Sequence, residues 1–264
     1  MSEAQFEKPS SSLTVYRGWP TVGAYVWSPF VIKLEARLRF SGTPYTTDSG
    51  SPLKAPKGKI PYIEYTDETN RTITLGDSTL IINHLTDSGT LPDLNATLSP
   101  GKKAIDLALR ALLEDKLYFY HTWERWTQNY YRMRDHVLSA LPYPIRVLVG
   151  LLAYRKTVQT LYGQGTGRYS ADEIRAFRLE IWENINVLLA ASKAASTVDN
   201  HSPFWILGGE SPSEADAVVF GFVVSVLVCT ASPESRAVVR GFPMLVEYAK
   251  RIHEKFFPDY ERWE

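Results

Sequence analysis

Hydrophobic and polar positions follow two rhythms along this chain. Early on, short apolar runs end at turn residues. Leu13–Tyr16 is a β-rich run closing at Arg17-Gly18 and predicts a strand. Phe30, Val31, Leu34 and Leu38 then recur at helical spacing, with Lys33, Glu35, Arg37 and Arg39 between them, and predict a helix. Ser28 suits its N-cap, Pro29 its first position and Gly42 its end. Thr43-Pro44-Tyr45 opens another extended segment. Ile60–Tyr65 reads as a strand with proline at its start, Asn70 as a turn and Arg71–Leu75 as the hairpin partner. Gly76-Asp77-Ser78 before Leu80, Ile81 and Leu85 reads as turn, N-cap and helix. The order is β-α-β followed by β-β-α.

After residue 100 the pattern is helical throughout. Ile105 to Tyr131 predicts one long helix, with Phe119, Trp123, Trp126 and Tyr130 as its core row. Leu141-Pro142-Tyr143-Pro144 breaks the chain, and a helix follows through Leu161. Ser170-Ala171-Asp172-Glu173 is a capping-box pattern before Ile174, Phe177, Ile181, Ile185 and Leu188. Ser213 to Asp216 opens an apolar helix to about Thr230, and a last helix covers Met244 to about Phe256. The stretch 88–100 is rich in Ser, Thr, Gly, Pro and Asn. These features divide the chain into a tail (1–12), an α/β domain (13–88), a linker (89–100) and an all-helical domain (101–264).

Composition narrows the function classes. The 264 residues carry 29 basic and 29 acidic side chains, so the formal net charge is zero. That disfavours nucleic-acid binding by bulk charge and a polybasic membrane surface. One cysteine, Cys229, excludes an intrachain disulfide and a cysteine-based zinc site. The five histidines at 84, 121, 136, 201 and 253 show no metal-ligand spacing, so no metal is expected. The start MSEAQFEKPSSS lacks a basic-then-apolar leader. The longest apolar run, Val147–Ala153, is too short to span a bilayer. A cytoplasmic protein without stable membrane insertion is the expectation.

Three places can carry chemistry. A hydroxyl at a helix N-terminus, as at Ser28, sits among free N–H donors at the positive end of the helix dipole and can stabilise an anionic sulfur. If cis, the Ile60-Pro61 bond would turn the preceding N–H and C=O toward an extended peptide. Asp77-Ser78 opens another helix and suits the two charges of an amino-acid head group. Each also has a plain structural reading: a capping serine, an edge proline and an Asx cap.

Taken together, Trp27-Ser28-Pro29-Phe30, Ile60-Pro61-Tyr62 and Leu75-Gly76-Asp77-Ser78 resemble the thioredoxin-like N-terminal domain of glutathione transferases. Three further stretches look like the metaxin and failed-axon-connections branch of that superfamily: Ser28-Pro29-Phe30-x-x-Lys33-Leu34-Glu35, Gly163-x-Gly165-x-Gly167-Arg168, and Gly208-x-x-x-Pro212-Ser213-x-Ala215-Asp216-Ala217. The resemblance implies a thioredoxin-like α/β domain followed by an all-α domain, with glutathione as co-substrate. It makes Ser28 the residue that activates the thiol, with Tyr16 as competitor and Tyr25 a weaker one. Pro61 is then the cis-proline, Ile60 the main-chain contact, Asp77 and Ser78 the γ-glutamyl contacts, and Lys59 the glycyl contact.

Tyr118 and Tyr131, with Tyr25, would line a pocket for a small hydrophobic electrophile. Where strong thiol-redox relatives carry cysteine, this chain has Ser28, which argues against cysteine-dependent deglutathionylation. The implied activity is a dimeric glutathione transferase, or a glutathione-assisted cis–trans isomerase acting on an activated C=C bond. The alternatives are a non-catalytic metaxin-like adaptor or import component, and a ligandin-type carrier of hydrophobic molecules.

Overall fold

The structure is a computed structural model that describes residues 12–67, 69–195 and 202–264. Residues 1–11 of the expected tail and His201 lie outside the described residues, and Ser12 already belongs to the first strand. Strands β1 (Ser12–Tyr16), β2 (Thr46–Asp48), β3 (Tyr62–Thr66) and β4 (Thr72–Gly76) form one sheet in the order β2-β1-β3-β4. The β1–β2 pair is parallel and the other pairs are antiparallel. Helices α1 (Pro29–Phe40) and α2 (Ser78–Asp87) cover one face. Side chains alternate across a strand, so Leu13, Val15 and Ile63 meet Leu34, Leu38, Ile81, Ile82 and Leu85 there.

The opposite face carries Thr14, Tyr16, Glu64, Thr66 and Thr72, linked as Thr14–Thr46, Tyr16–Glu64 and Thr66–Thr72 hydrogen-bonded pairs. Among the described residues no helix covers it: the segment from 49 to 60 between β2 and β3 is a string of turns. That segment folds over one end of the open face. Gly50, at φ 60°, passes so close to Tyr16 that a Cβ would lie 2.7 Å from the tyrosine's own Cβ.

The helical part begins with α3 (Pro100–Leu112), α4 (Tyr118–Trp123) and α5 (Tyr130–Val137). Two π-turns, Leu113–Leu117 and Glu124–Gln128, join them. Their mark is a wider step: Tyr118 N–H reaches back to Leu113 O, and Asn129 N–H to Glu124 O. This changes the expected core row. Phe119, Trp123, Trp126 and Tyr130 are only half-buried, whereas Leu113, Leu117, Tyr120, His121, Glu124 and Arg125 are buried. The inner row keeps helical spacing but includes His121, Glu124 and Arg125, so the neighbouring aromatic row reads as the apolar face.

Next come α6 (Tyr143–Gln164), α7 (Ala171–Ala194), α8 (Glu214–Val228), α9 (Pro233–Arg240) and α10 (Pro243–Phe256). Both capping boxes form, at Ser170/Glu173 and Ser213/Asp216. Helix α9 was not anticipated, although Ser232-Pro233 is a legible start signal.

Helix α8 is apolar nearly all round, and every residue from Ala215 to Leu227 is buried. It packs against the side of α1 that carries charges. Lys33, Glu35 and Arg37 are therefore buried, and each has a partner: Lys33 Nζ–Glu114 at 2.6 Å, Arg17 Nε–Glu35 at 3.0 Å and Arg37 Nε–Glu214 at 2.5 Å. The two backbones nearly touch at Gly221, where a Cβ would stand 2.6 Å from Pro29 O and 3.0 Å from Lys33 N. Among the described residues, no single helix is long and apolar enough to cross a membrane.

Gly221→Ala must therefore push α8 off α1, at a cost of about 1–3 kcal/mol. Its thermal midpoint should fall clearly, while Gly163→Ala, on a helix position with nothing within 4 Å of a new Cβ, should leave the midpoint level or higher.

Candidate active site

The β1–α1 loop sets the geometry. Arg17, buried at the end of β1, donates to Thr21 O and Ala24 O, both at 2.6 Å, and pairs with Glu35, which also accepts from Tyr260 Oη at 2.7 Å. This folds residues 17–28 back onto α1. Gly18, at φ 86°, runs beside Ile60, whose Cγ1 would be 3.5 Å from an added Cβ. The Ile60-Pro61 bond is cis.

Ser28 is the N-cap of α1, with φ −83° and ψ 117°. Its Oγ accepts from Val31 N at a long 3.4 Å, which leaves the hydroxyl proton free to donate. No acidic residue occupies the first turn of α1, so the positive end of that helix has no local counter-charge.

The residue before Ser28 is fixed on every side. Trp27 lies flat on His136 of α5, with ring centroids 3.5 Å apart at 11°, and Trp19 stacks on the same imidazole at 5.3 Å. Burial holds His136 at about 4, so the ring is neutral. Cys229, Ala231 and Met133 complete the packing around Trp27. Neither His136 nor Trp19 was among the expected site residues. Their signal in sequence was weak, because the π-turns and the 17–28 loop bring them together rather than any spacing.

Asp77 caps α2 at φ 80°, accepting from Thr79 N at 3.0 Å and Leu80 N at 3.2 Å. Ser78 beside it is buried. Lys33 Nζ donates to Thr79 Oγ1 at 2.8 Å, which ties the start of α2 to α1, and Glu114 of the first π-turn accepts from the same ammonium. A cleft touches this region at Lys33 and Thr79, and otherwise runs between α2 and Asp93, Arg110 and Glu214. Lys59 is exposed on the turn before Ile60. Tyr118 reaches the start of α1, its ring 5.0 Å from Phe30.

Three expected residues stand elsewhere. Tyr16 points to the sheet face away from α1, stacks on Tyr62 at 4.3 Å and donates to Glu64 at 2.7 Å. That bond, with burial, pushes its phenol up to about 12 and already uses its proton. Tyr25 is in the core, its hydroxyl 2.8 Å from His253 Nδ1 and its ring among Phe220, Phe257 and Tyr260. It is 8% exposed. Tyr131 is 70% exposed and packs on Tyr130 and Arg134 of α5. Among the described residues, no group of three or more His, Cys, Asp or Glu is placed to hold a metal ion.

A family model described as the glutathione S-transferase N-terminal domain matches residues 29–133, and one described as the glutathione S-transferase C-terminal domain matches residues 202–252. The chain belongs to the glutathione transferase superfamily. Solved structures agree on the fold. A glutathione transferase from Phanerochaete chrysosporium is 15% identical over 94% of this chain and 99% of its own, with a TM-score of 0.58. A glutathione S-transferase from Rhodospirillum rubrum F11 is 14% identical over 94% and 90%, with a TM-score of 0.56. A family member from Pseudomonas fluorescens pf-5, solved with two glutathione bound, is 12% identical over 96% and 95%, with a TM-score of 0.52. The four-stranded sheet followed by a helical domain is the glutathione transferase architecture, and the family models are those of an enzyme of that kind.

The neutral His136 gives a pH test. Its value in the folded chain, about 4, lies below the ordinary 6.5, so the unfolded chain binds the extra proton. Its contribution to stability is complete above about pH 6.5 and is lost as pH falls toward 4. Thermal unfolding of His136→Phe, which keeps the stack, should show a smaller drop in midpoint across that window than the unsubstituted protein.

Proposed function

We propose that the protein is a glutathione-dependent transferase in which Ser28 stabilises the glutathione thiolate. The observation that carries this reading is the Ser28 hydroxyl at the uncompensated N-terminus of α1, with only one long hydrogen bond accepted. A helix terminus contributes about 0.5–1 kcal/mol to an anion there. A hydrogen bond to a charged group contributes about 1.5–3 kcal/mol. Together these lower a thiol by about one and a half to three units of pKa, because each unit is about 1.4 kcal/mol.

In the same reading, the Ile60 main chain pairs with the cysteinyl backbone, Asp77 and Ser78 receive the γ-glutamyl end, and Lys59 meets the glycyl carboxylate. Tyr118 borders the electrophile. The thiolate attacks an electrophilic carbon of an apolar substrate. A C–S bond forms, and either a leaving group departs with its electron pair or a proton adds to the neighbouring carbon. If the adduct instead rotates and expels the thiolate, the net result is cis–trans isomerisation.

The motifs at 28–35, 163–168 and 208–217 support placement in the metaxin and failed-axon-connections branch. We also propose a homodimer, supported by the outer face of α6. Ile145, Leu148 and Leu152, one helical face, are 51%, 62% and 57% exposed.

Calorimetry should detect glutathione binding, and the bound thiol should titrate below free glutathione. Ser28→Ala should raise that titration by about one to two pKa units and lower turnover of a thiol-reactive electrophile roughly ten- to a hundredfold. No heat at millimolar glutathione would favour the adaptor reading. Sedimentation should show a dimer that Leu148→Glu with Leu152→Glu converts to monomer; a protein monomeric without substitution removes the dimer proposal.

A further inference from the structure

The buried cations along α1 all have carboxylate partners: Arg17 pairs with Glu35, Lys33 with Glu114 and Arg37 with Glu214. Arg125 differs. It lies in the second π-turn and is 6% exposed. Its guanidinium donates to Ser232 Oγ at 2.8 Å, Trp27 O at 3.0 Å, Ser225 Oγ at 3.0 Å and Ser225 O at 3.3 Å. Every one of these acceptors is neutral.

Among the described residues, no carboxylate stands within 4.0 Å of it. Glu124, next in the chain, is committed elsewhere: it accepts from Arg178 at 2.7 Å and from the amides of Glu234 and Ser235 at 2.9 and 3.2 Å. The field of Arg125 is felt nearby, since after burial itself it is the next cause that holds His121 neutral. A buried cation without a counter-ion is expensive, and an arrangement that satisfies its hydrogen bonds but not its charge leaves a positive potential in place.

That potential is delivered at one peptide. Trp27 O, which accepts from Arg125 and also from Ser225 Oγ at 2.7 Å, is the carbonyl of the peptide whose N–H belongs to Ser28. Two donors on one carbonyl, one of them cationic, polarise the peptide and make its N–H a stronger donor. Among the described residues, that N–H has no acceptor. The Trp27 ring is clamped by His136, so the peptide cannot swing away from Arg125.

We infer that Arg125 is a positioning residue of the sulfur site: acting through the Trp27–Ser28 peptide, its unpaired cation fixes Ser28 and supplies positive potential for an anion bound at the start of α1. The inference rests on the glutathione reading above. It assigns a residue of the helical domain to chemistry performed on the α/β domain.

The test is a titration of thiolate absorbance for glutathione bound to the full-length protein, with steady-state kinetics alongside, for the unsubstituted chain and for Arg125→Gln, Arg125→Lys and Ser28→Ala. The unsubstituted chain should titrate below free glutathione. Arg125→Gln should raise the bound thiol by about one pKa unit and cut kcat about tenfold on the acid limb, with KM for glutathione little changed. Arg125→Lys, which keeps the charge, should recover most of that loss.

Ser28→Ala retains the cation, so its bound thiol should still titrate below free glutathione. An unchanged titration in Arg125→Gln overturns the inference. So does a full return to the free-glutathione value in Ser28→Ala, and that arm stands even if Arg125→Gln fails to fold. If the unsubstituted chain itself titrates like free glutathione, the thiolate reading falls and takes this one with it.

Discussion

The position of α1 between two surfaces of different kinds constrains the rest of the molecule. One side must be apolar to lie on the strands, and Leu34 and Leu38 meet that need. The other side lies against α8, a helix with almost no polar surface of its own. Lys33, Glu35 and Arg37 cannot reach water, so each must find a partner on another element. Those partners are Arg17 in the β1–α1 loop, Glu114 in the first π-turn and Glu214 at the start of α8. An ion pair this deep adds little net stability, but removing one member leaves a stranded charge. The pairs therefore specify how the helical part is seated on the sheet. Gly221 sets how closely it is seated.

The candidate site inherits that seating. Ser28 is the residue immediately before α1, and Trp27 before it is held by side chains from α5, the second π-turn, α8 and the loop after α8. The candidate site belongs to the α/β part in sequence and to both parts in space. Glu114 extends the same logic to the start of α2 through Lys33 and Thr79.

Much of the α/β part was legible in the sequence because its signals are local. Turn residues, a proline at a helix start and two-residue alternation act over a few positions, and they located every strand and both helices to within a few residues. Ser28, Ile60-Pro61 and Asp77 follow from the same local grammar. The misses are long-range. Lys33, Glu35 and Arg37 read as the polar side of an amphipathic helix, and only the presence of α8 reveals that this side is interior. Tyr16 and Tyr25 are chemically suitable hydroxyls, but strand alternation sends one to the far sheet face and the core takes the other. The buried row of His121, Glu124 and Arg125 keeps helical spacing but consists of polar side chains, which a search for apolar periodicity passes over.

The second π-turn also sets the angle between the two stretches of helix that hold Trp27. A π-turn is an α-helix holding one residue too many, and an ordinary helix turns about 100° per residue. Straightening the turn into α-helix without removing a residue would rotate one flank of the rod against the other by about that angle. Either His136 would leave the Trp27 ring or Arg125 would leave the Trp27 carbonyl, since Arg125 lies near the start of the turn and His136 beyond its end. The extra residue is the spacer that lets one tryptophan be gripped at both its ring and its backbone by the same stretch of helix.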